Sequence, residues 1–437
     1  GNKTPIESML TTSLPACKGI KRVAARLYQD MEQFDKQLAM LEQLYKADEN
    51  TEAFYDEYVR CLKNNKLADR FLVVANEALV KFPDSLTLLK LRANAHFWLG
   101  NHRAALADGE AILQRTPSDH YVRTTVGSLK LMLSGCKDGF EEYAAHGKYE
   151  MERLGFSIAP DFPEWQGEAI AGKHLLIWVS QGIGDVVMFS GFLPWIIKQD
   201  AKVTFAVQDK SVPLFARSFP DAHVVPFNKG LLAAKGSYDY HTPVGQLMPY
   251  VLPHYTPAEH PAYITADTHK VDALRKRYKA QCDGKKLVGI SWHTINPDTF
   301  TQRNIPLIDW KALLELPDIQ LVSLQYGDHK KEIEAVNRKY PGAVMLDNEV
   351  DAFADTDASA AQIAAMDEVI SIQNSTIHLA GAMGIKTTIL LSAASEWRWG
   401  VEGSSNRWYK SVYVERQQKL YDWVEPLQKV KERILNQ

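Results

Sequence analysis

A chain of 437 residues is too long for one compact core and is expected to divide into two or three domains. Its 46% apolar and 24% charged residues are those of a globular protein, and 50 basic against 53 acidic residues leave a net charge of −3, which excludes a broad electrostatic footprint for nucleic acid. No apolar run reaches the roughly eighteen residues of a transmembrane helix, and Cys17, Cys61, Cys136 and Cys282 form no C-x-x-C pair, so neither a zinc site nor a disulfide framework is expected. The opening "GNKTPIESMLTTSLPACKGIKRV" lacks the basic-then-apolar order of a signal peptide, which makes a cytoplasmic location the expectation.

The first 155 residues carry helical periodicity and few strand signals. "EALVKFPDS" (Glu77–Ser85) and "EAILQRTPSD" (Glu110–Asp119) read as one unit written twice. Pro83 and Pro117 lie 34 residues apart, the period of a tetratricopeptide repeat. Between them the spacing predicts two helices joined at Gly100-Asn101, with small Ala93 and Ala105 where the pair approaches. A weaker copy spans Thr51 to Pro83, with helices before and after capping the stack. Such a solenoid offers a groove suited to a peptide or a protein surface.

From about Phe162 the texture alternates between strands and helices. "LLIWVS", "KVTFAVQ" (Lys202–Gln208) and "AHVVPF" (Ala222–Phe227) form one strand series. "KLVGISW" (Lys286–Trp292), "IQLVSLQ" (Ile319–Gln325), "EVISI" (Glu368–Ile372) and "TTILL" (Thr387–Leu391) form another. Proline-rich "PHYTPAEHPAYITAD" and a charged helix around "VDALRKRYKAQ" separate them. The expected architecture is a helical repeat domain (1–155) followed by two Rossmann-like α/β domains with parallel sheets (156–270 and 271–437).

Three turns carry the candidate chemistry. In "LLIWVSQGIGDVVMFSGFLP", Gly182 and Gly184 are expected to let the chain turn sharply and a ligand come close, with Asp185 at the start of the following helix. Val187 stands where a dinucleotide fingerprint has its third glycine, and no G-K-[ST] follows, so neither a redox cofactor nor a P-loop is indicated. Helix capping and general-base chemistry both fit Asp185. In "ISIQNSTIHLAGAMG", a strand gives way to a polar turn and a helix start. Its exposed N–H groups would meet a phosphate, with Asn374, Ser375, Thr376 and His378 as further donors.

In "SWHTINPDTFTQRNIPLIDW", Arg303 is the natural fixed cation for a diphosphate. In "SEWRWGVEGSSNRWYKSVYVERQ", Trp397, Trp399, Trp408 and Tyr409 lie among arginines, where they would either stack on a base or sugar or lock the C-terminal segment in place. The D-x-D at Asp355–Asp357 precedes the helix "ASAAQIAAM" and reads as capping, leaving no metal site.

Taken together, "SQGIGDVVMFSGFLP", "VGISWHT…RNIPLIDW…LVSLQYG", "NSTIHLAGAMG" and "WRWG…RWYKSVYVERQ" resemble bacterial tetratricopeptide-repeat glycosyltransferases whose catalytic half is similar to the lipopolysaccharide heptosyltransferases. The resemblance covers about residues 150 to 430. It implies the two-Rossmann GT-B fold and metal-independent, inverting transfer from a nucleotide sugar, used as a co-substrate without a further cofactor.

By the same resemblance Asp185 falls at the general-base position and Arg303 on the donor-phosphate side. The Gln373–His378 turn falls on the donor-binding segment, and Asp328 of "QYGDHKKE" near an acidic position that contacts the nucleoside. The family commonly has an acidic residue where Gln373 stands, a polar or charged one at Val186 and an arginine at Gly191. These departures keep open a second expectation, an inactive binding or scaffold module. The repeats suggest a protein acceptor or partner, such as a flagellar or other surface subunit, with a lipid-linked or free glycan as the alternative.

Overall fold

The computed structural model describes residues 18–65, 67–134, 139, 143, 161–179, 182–234, 236–295 and 303–436. Cys17, Cys136, Gln181 of the glycine turn and the capping helices expected near 135–155 lie largely outside them. The chain falls into two compact units, Gly1–Val122 and Arg123–Gln437.

The first unit is built of antiparallel helix pairs. Glu52–Asn64 and Ala68–Lys81 form one, Leu86–Trp98 and His102–Arg115 the next, with Lys18–Asp30 and Phe34–Lys46 ahead of them. Thr51 and Ser85 stand just before the first helix of each later pair and accept hydrogen bonds from Phe54 N and Leu88 N, satisfying helix-start donors. Gly100, at φ 74°, makes the sharp turn that a side chain would oppose. Ala105 is buried between paired helices as anticipated, but Ala93 is only half-buried. Ala95, two residues further on, is the small residue fully inside. Arg92 clasps buried Asp108 through two hydrogen bonds of 2.6 and 2.8 Å, tying the pair together across its polar side.

The second unit holds two wholly parallel sheets. In the first, β1 (His174–Trp178), β2 (Lys202–Val207), β3 (His223–Pro226) and β4 (Tyr240–Pro243) run in the order β3-β2-β1-β4. In the second, β5 (Lys286–Ser291), β6 (Ile319–Ser323), β7 (Val344–Met345), β8 (Glu368–Ile372), β9 (Thr387–Leu391) and β10 (Val412–Arg416) run β10-β9-β8-β5-β6-β7. The strand order therefore reverses beside β1 in one sheet and beside β5 in the other. At such a switch point the crossover helices leave toward opposite faces and open a crevice at the carboxyl ends of the strands.

The helices Ile183–Ser190, after β1, and Ser375–Ala382, after β8, are the crossovers that meet between the sheets. A Cβ at Gly184 would come within 3.0 Å of the His378 ring and 3.5 Å of Ser375 Cα. Neither Gly182 nor Gly184 has a positive φ, so the expected need for glycine to turn the chain is not what these positions show. The second glycine instead lets two helices touch. Behind that contact Phe189, Phe192, Trp397 and Trp408 pack ring against ring at 5.8 to 6.4 Å, and Tyr143 closes on Trp397 at 5.1 Å.

The proline-rich segment between the strand series is pinned along its length. Tyr263 N and Ile264 N donate to Ala382 O, and the buried Tyr263 hydroxyl donates to Val187 O at 3.1 Å. Removing the fully buried Phe189 ring should empty the centre of this aromatic cluster. Phe189→Ala is expected to cost about 3–5 kcal/mol, read as a lowered midpoint for the second unit in urea unfolding; a loss under about 1 kcal/mol would show that the cluster repacks freely.

Candidate functional site

Between the carboxyl ends of the two sheets lies a cavity of about 460 Å³. Gly182, Gly184 and Asp185 line it from the first sheet, and Arg303, Gln373, Asn374, Ser375, Thr376 and His378 from the second, with Glu396, Arg398 and Trp399 alongside. The structure thus gathers most of the sequence-derived candidates on one surface. Two fall elsewhere. Asp328 is exposed in the loop after β6 and accepts Lys330 N at 3.2 Å, while its neighbour but one, Tyr326, reaches the cavity. Trp397 is buried in the aromatic cluster, whereas Trp399 lines the cavity and stacks on His378 at 5.6 Å.

Gln373 is 5% exposed, and neither its amide oxygen nor its amide nitrogen has a hydrogen-bond partner among the described residues. Burying an amide without partners is costly, so an amide held this way at a cavity wall is suited to a ligand that both donates and accepts. Trp399 Nε1 and the Nε atoms of Arg303 and Arg398 are unpartnered in the same sense.

Asn374 is committed to the fold. Its Oδ1 accepts Thr376 N and Ser371 Oγ, and its Nδ2 donates to Ser291 Oγ at 2.6 Å and to His293 O. It therefore caps its helix and ties β8 to β5 rather than offering a free donor, contrary to expectation. That helix has no acidic residue in its first turn, so the positive end of its dipole faces the cavity uncompensated from within the helix.

The charged side chains form a chain that sequence spacing does not reveal. Asp185 makes no side-chain cap on its own helix and pairs with Arg398. Arg398 also holds Glu396 at 2.7 Å, and Glu396 pairs on its other side with buried Arg303. Burial alone would raise the Glu396 carboxyl, but the two flanking guanidinium groups hold it at about 2. His378, buried and facing Arg398, is pushed down to about 4 and is neutral at pH 7; its Nδ1 lies 2.8 Å from the Tyr409 hydroxyl.

Gly191 and Val186 also have local causes. Tyr263 Cζ lies 2.9 Å from where a Cβ at Gly191 would sit, so an arginine there would collide with the pinned segment. Val186 is 1% exposed and belongs to the core. Asp355 caps the helix Thr356–Ala364 by accepting Ala358 N, and buried Asp357 pairs with Arg217 and Lys270, which accounts for the D-x-D. Arg416 donates to the carbonyls of Trp399, Gly400, Glu402 and Gly403 and so locks the C-terminal loop. Among the described residues no three His, Cys, Asp or Glu side chains are grouped to hold a metal ion, and no helix is long and apolar enough to cross a membrane.

Comparison with known proteins adds relatives. Protein FlbA of Caulobacter vibrioides is 31% identical over 369 residues, 78% of this chain; the chain spans 60% of the length of FlbA. No family model matches. Among solved structures, a glycosyl transferase family 9 protein from Veillonella parvula aligns over 62% of this chain and 97% of its own, at 11% identity and TM-score 0.44. E. coli ADP-heptose LPS heptosyltransferase II aligns over 60% and 98%, at 12% identity and TM-score 0.43. MamA protein aligns over 32% and 74%, at 14% identity and TM-score 0.29.

The depressed His378 and Glu396 groups both favour the folded state at neutral pH. An unfolded chain takes up protons at His378 below about 6.5 and at Glu396 below about 4.5, while the folded chain resists until about 4 and about 2. Stability is therefore expected to fall as pH drops from about 6.5 toward 4, by at most about 1.4 kcal/mol per unit from His378 alone. Urea midpoints for the wild type and His378→Gln should converge in slope outside that window and differ within it. Identical slopes throughout would show that His378 is not held neutral.

Proposed function

We propose that the second unit is a glycosyltransferase that moves a sugar from a nucleotide-activated donor to an acceptor hydroxyl, with inversion and without a metal. The observation that carries this reading is the cavity where both switch points converge. On one wall stand Arg303, Gln373 with no side-chain partner among the described residues, and the positive helix end at Ser375; the Asp185 carboxylate comes from the opposing sheet. The motif set that resembles heptosyltransferases supplies the direction of the chemistry.

In the proposed reaction the acceptor oxygen attacks the anomeric carbon while Asp185 removes its proton, and the bond from that carbon to the diphosphate oxygen breaks. Arg303 and the Ser375 helix end hold the departing charge. Gln373 offers its amide to sugar hydroxyls and Trp399 a ring face, while Tyr326, and not Asp328, brings the loop after β6 to the cavity. The donor is a co-substrate, and no other cofactor enters.

One observation favours a second reading, a binding module without turnover: Asp185 is engaged by Arg398 rather than standing free. Thermal unfolding with a panel of nucleoside diphosphates separates donor binding from its absence. A nucleotide at one hundred times its Kd should add about 2.7 kcal/mol of stability, and no shift with any of them would favour a module that does not use this cleft. Turnover then separates enzyme from module. With lysate as acceptor and a set of labelled nucleotide sugars, transfer by the wild type should fall by about 10²–10⁴-fold in Asp185→Ala. Transfer left near the wild-type rate would remove the base from the scheme.

The helical pairs of the first unit support a protein as acceptor or as the partner that delivers it. Because the second unit has its own core, a chain starting after residue 122 should keep donor affinity and lose acceptor affinity. Equal acceptor binding by both chains would reject a role for the repeats in capture.

A further inference from the structure

In the proposed reaction Asp185 accepts a proton and Arg303 holds a diphosphate, yet both are engaged. Their partners, Glu396 just before the 3-10 turn at Trp397–Trp399 and Arg398 within it, complete an alternating series Asp185–Arg398–Glu396–Arg303. Arg398 is the one member shared between the sheets. One terminal nitrogen donates to Asp185 Oδ1, the other to Glu396 Oε2, and its Nε has no partner among the described residues. Its anchorage does not rest on these charges alone. The guanidinium lies 5.1 Å from the Trp397 ring centre, and its backbone carbonyl accepts Trp408 Nε1 at 2.8 Å.

A guanidinium with two carboxylates on it is a site where an incoming anion must compete. A diphosphate carries more charge than one carboxylate and matches the fork of donors, so it is the stronger partner. We propose that Arg398 is an exchange residue: it holds Asp185 while the cleft is empty and turns to the donor diphosphate on binding, which frees the Asp185 carboxylate for the acceptor hydroxyl. This inference rests on the proposed donor reading and adds an order to it. Donor binds first, and the base becomes available only afterwards. An acceptor entering an empty cleft meets a carboxylate oxygen already occupied.

Exchange makes a specific demand on energetics. If the diphosphate must displace Asp185 from Arg398, neutralising Asp185 removes a competitor, but only while Arg398 is present. If Asp185 merely repels the anion through space, neutralising it helps equally with or without Arg398.

The test is a double-mutant cycle on the full chain. Calorimetry measures binding of UDP, GDP, ADP, CDP and dTDP, with inorganic pyrophosphate as the minimal probe, to wild type, Asp185→Asn, Arg398→Gln and the double variant. For the nucleotide that binds, Asp185→Asn should tighten affinity about tenfold, Arg398→Gln should weaken it about tenfold, and Asp185→Asn should add less than about twofold once Gln replaces Arg398. Should Arg398→Gln not fold, as judged by circular dichroism and melting, Arg398→Lys replaces it in the cycle because it keeps the charge but lacks the fork. Equal tightening by Asp185→Asn in both backgrounds, or none in either, would overturn the exchange while leaving the donor reading intact. Binding of no nucleotide and no pyrophosphate by the wild type would overturn both.

Discussion

The cleft depends on one close contact, between Gly184 and His378. Each sheet sends the helix from its switch point toward the other, and the helices meet at their first turns where residue 184 has no side chain; a Cβ there would crowd the imidazole at 3.0 Å. That meeting brings the start of the Asp185 helix against the start of the Ser375 helix. Two positive dipole ends and two arginines would be an unfavourable collection without compensation. Asp185 and Glu396 supply it. His378 cannot share in the positive charge, since burial and Arg398 keep it neutral. The contact, the neutral imidazole and the alternating charges are consequences of the same approach.

Rigidity follows from what lies behind the contact. The ring cluster of Phe189, Phe192, Trp397 and Trp408 and the pinned Tyr263 segment give the two α/β halves a shared apolar interior. Within that interior, a guanidinium that can trade one anionic partner for another is the smallest change that ligand binding can make.

Much of the architecture was legible because buried parallel strands are short continuous apolar runs. β1, β2, β5, β6, β8 and β9 all stand where such runs occur, and β3, an edge with no buried residue, was legible from its β-branched pair Val224-Val225. β4, β7 and β10 were not, and all three are edges: "YHTP" is polar and ends in proline, "VM" is two residues long, and "VYVER" leaves Tyr413 exposed. At the site, turns after strands pointed to Asp185, Arg303 and Gln373–His378, because strand-to-helix turns carry chemistry in α/β folds. What spacing cannot show is pairing at a distance. Asp185 and Arg398 are 213 residues apart, and nothing local distinguishes Trp399 in the cavity from Trp397 in the core. The donors of Asn374 likewise look free until β5 is seen beside β8.

These features make the electrostatics of the cleft, rather than any single catalytic group, the centre of the account. A crystal structure of the full chain bound to the nucleoside diphosphate it prefers examines that centre directly. The expected complex has diphosphate oxygens within hydrogen-bond distance of Arg398 and Arg303, with Asp185 no longer paired to Arg398. A diphosphate bound away from Arg398, or one bound there with the Asp185–Arg398 pair still closed, would contradict it.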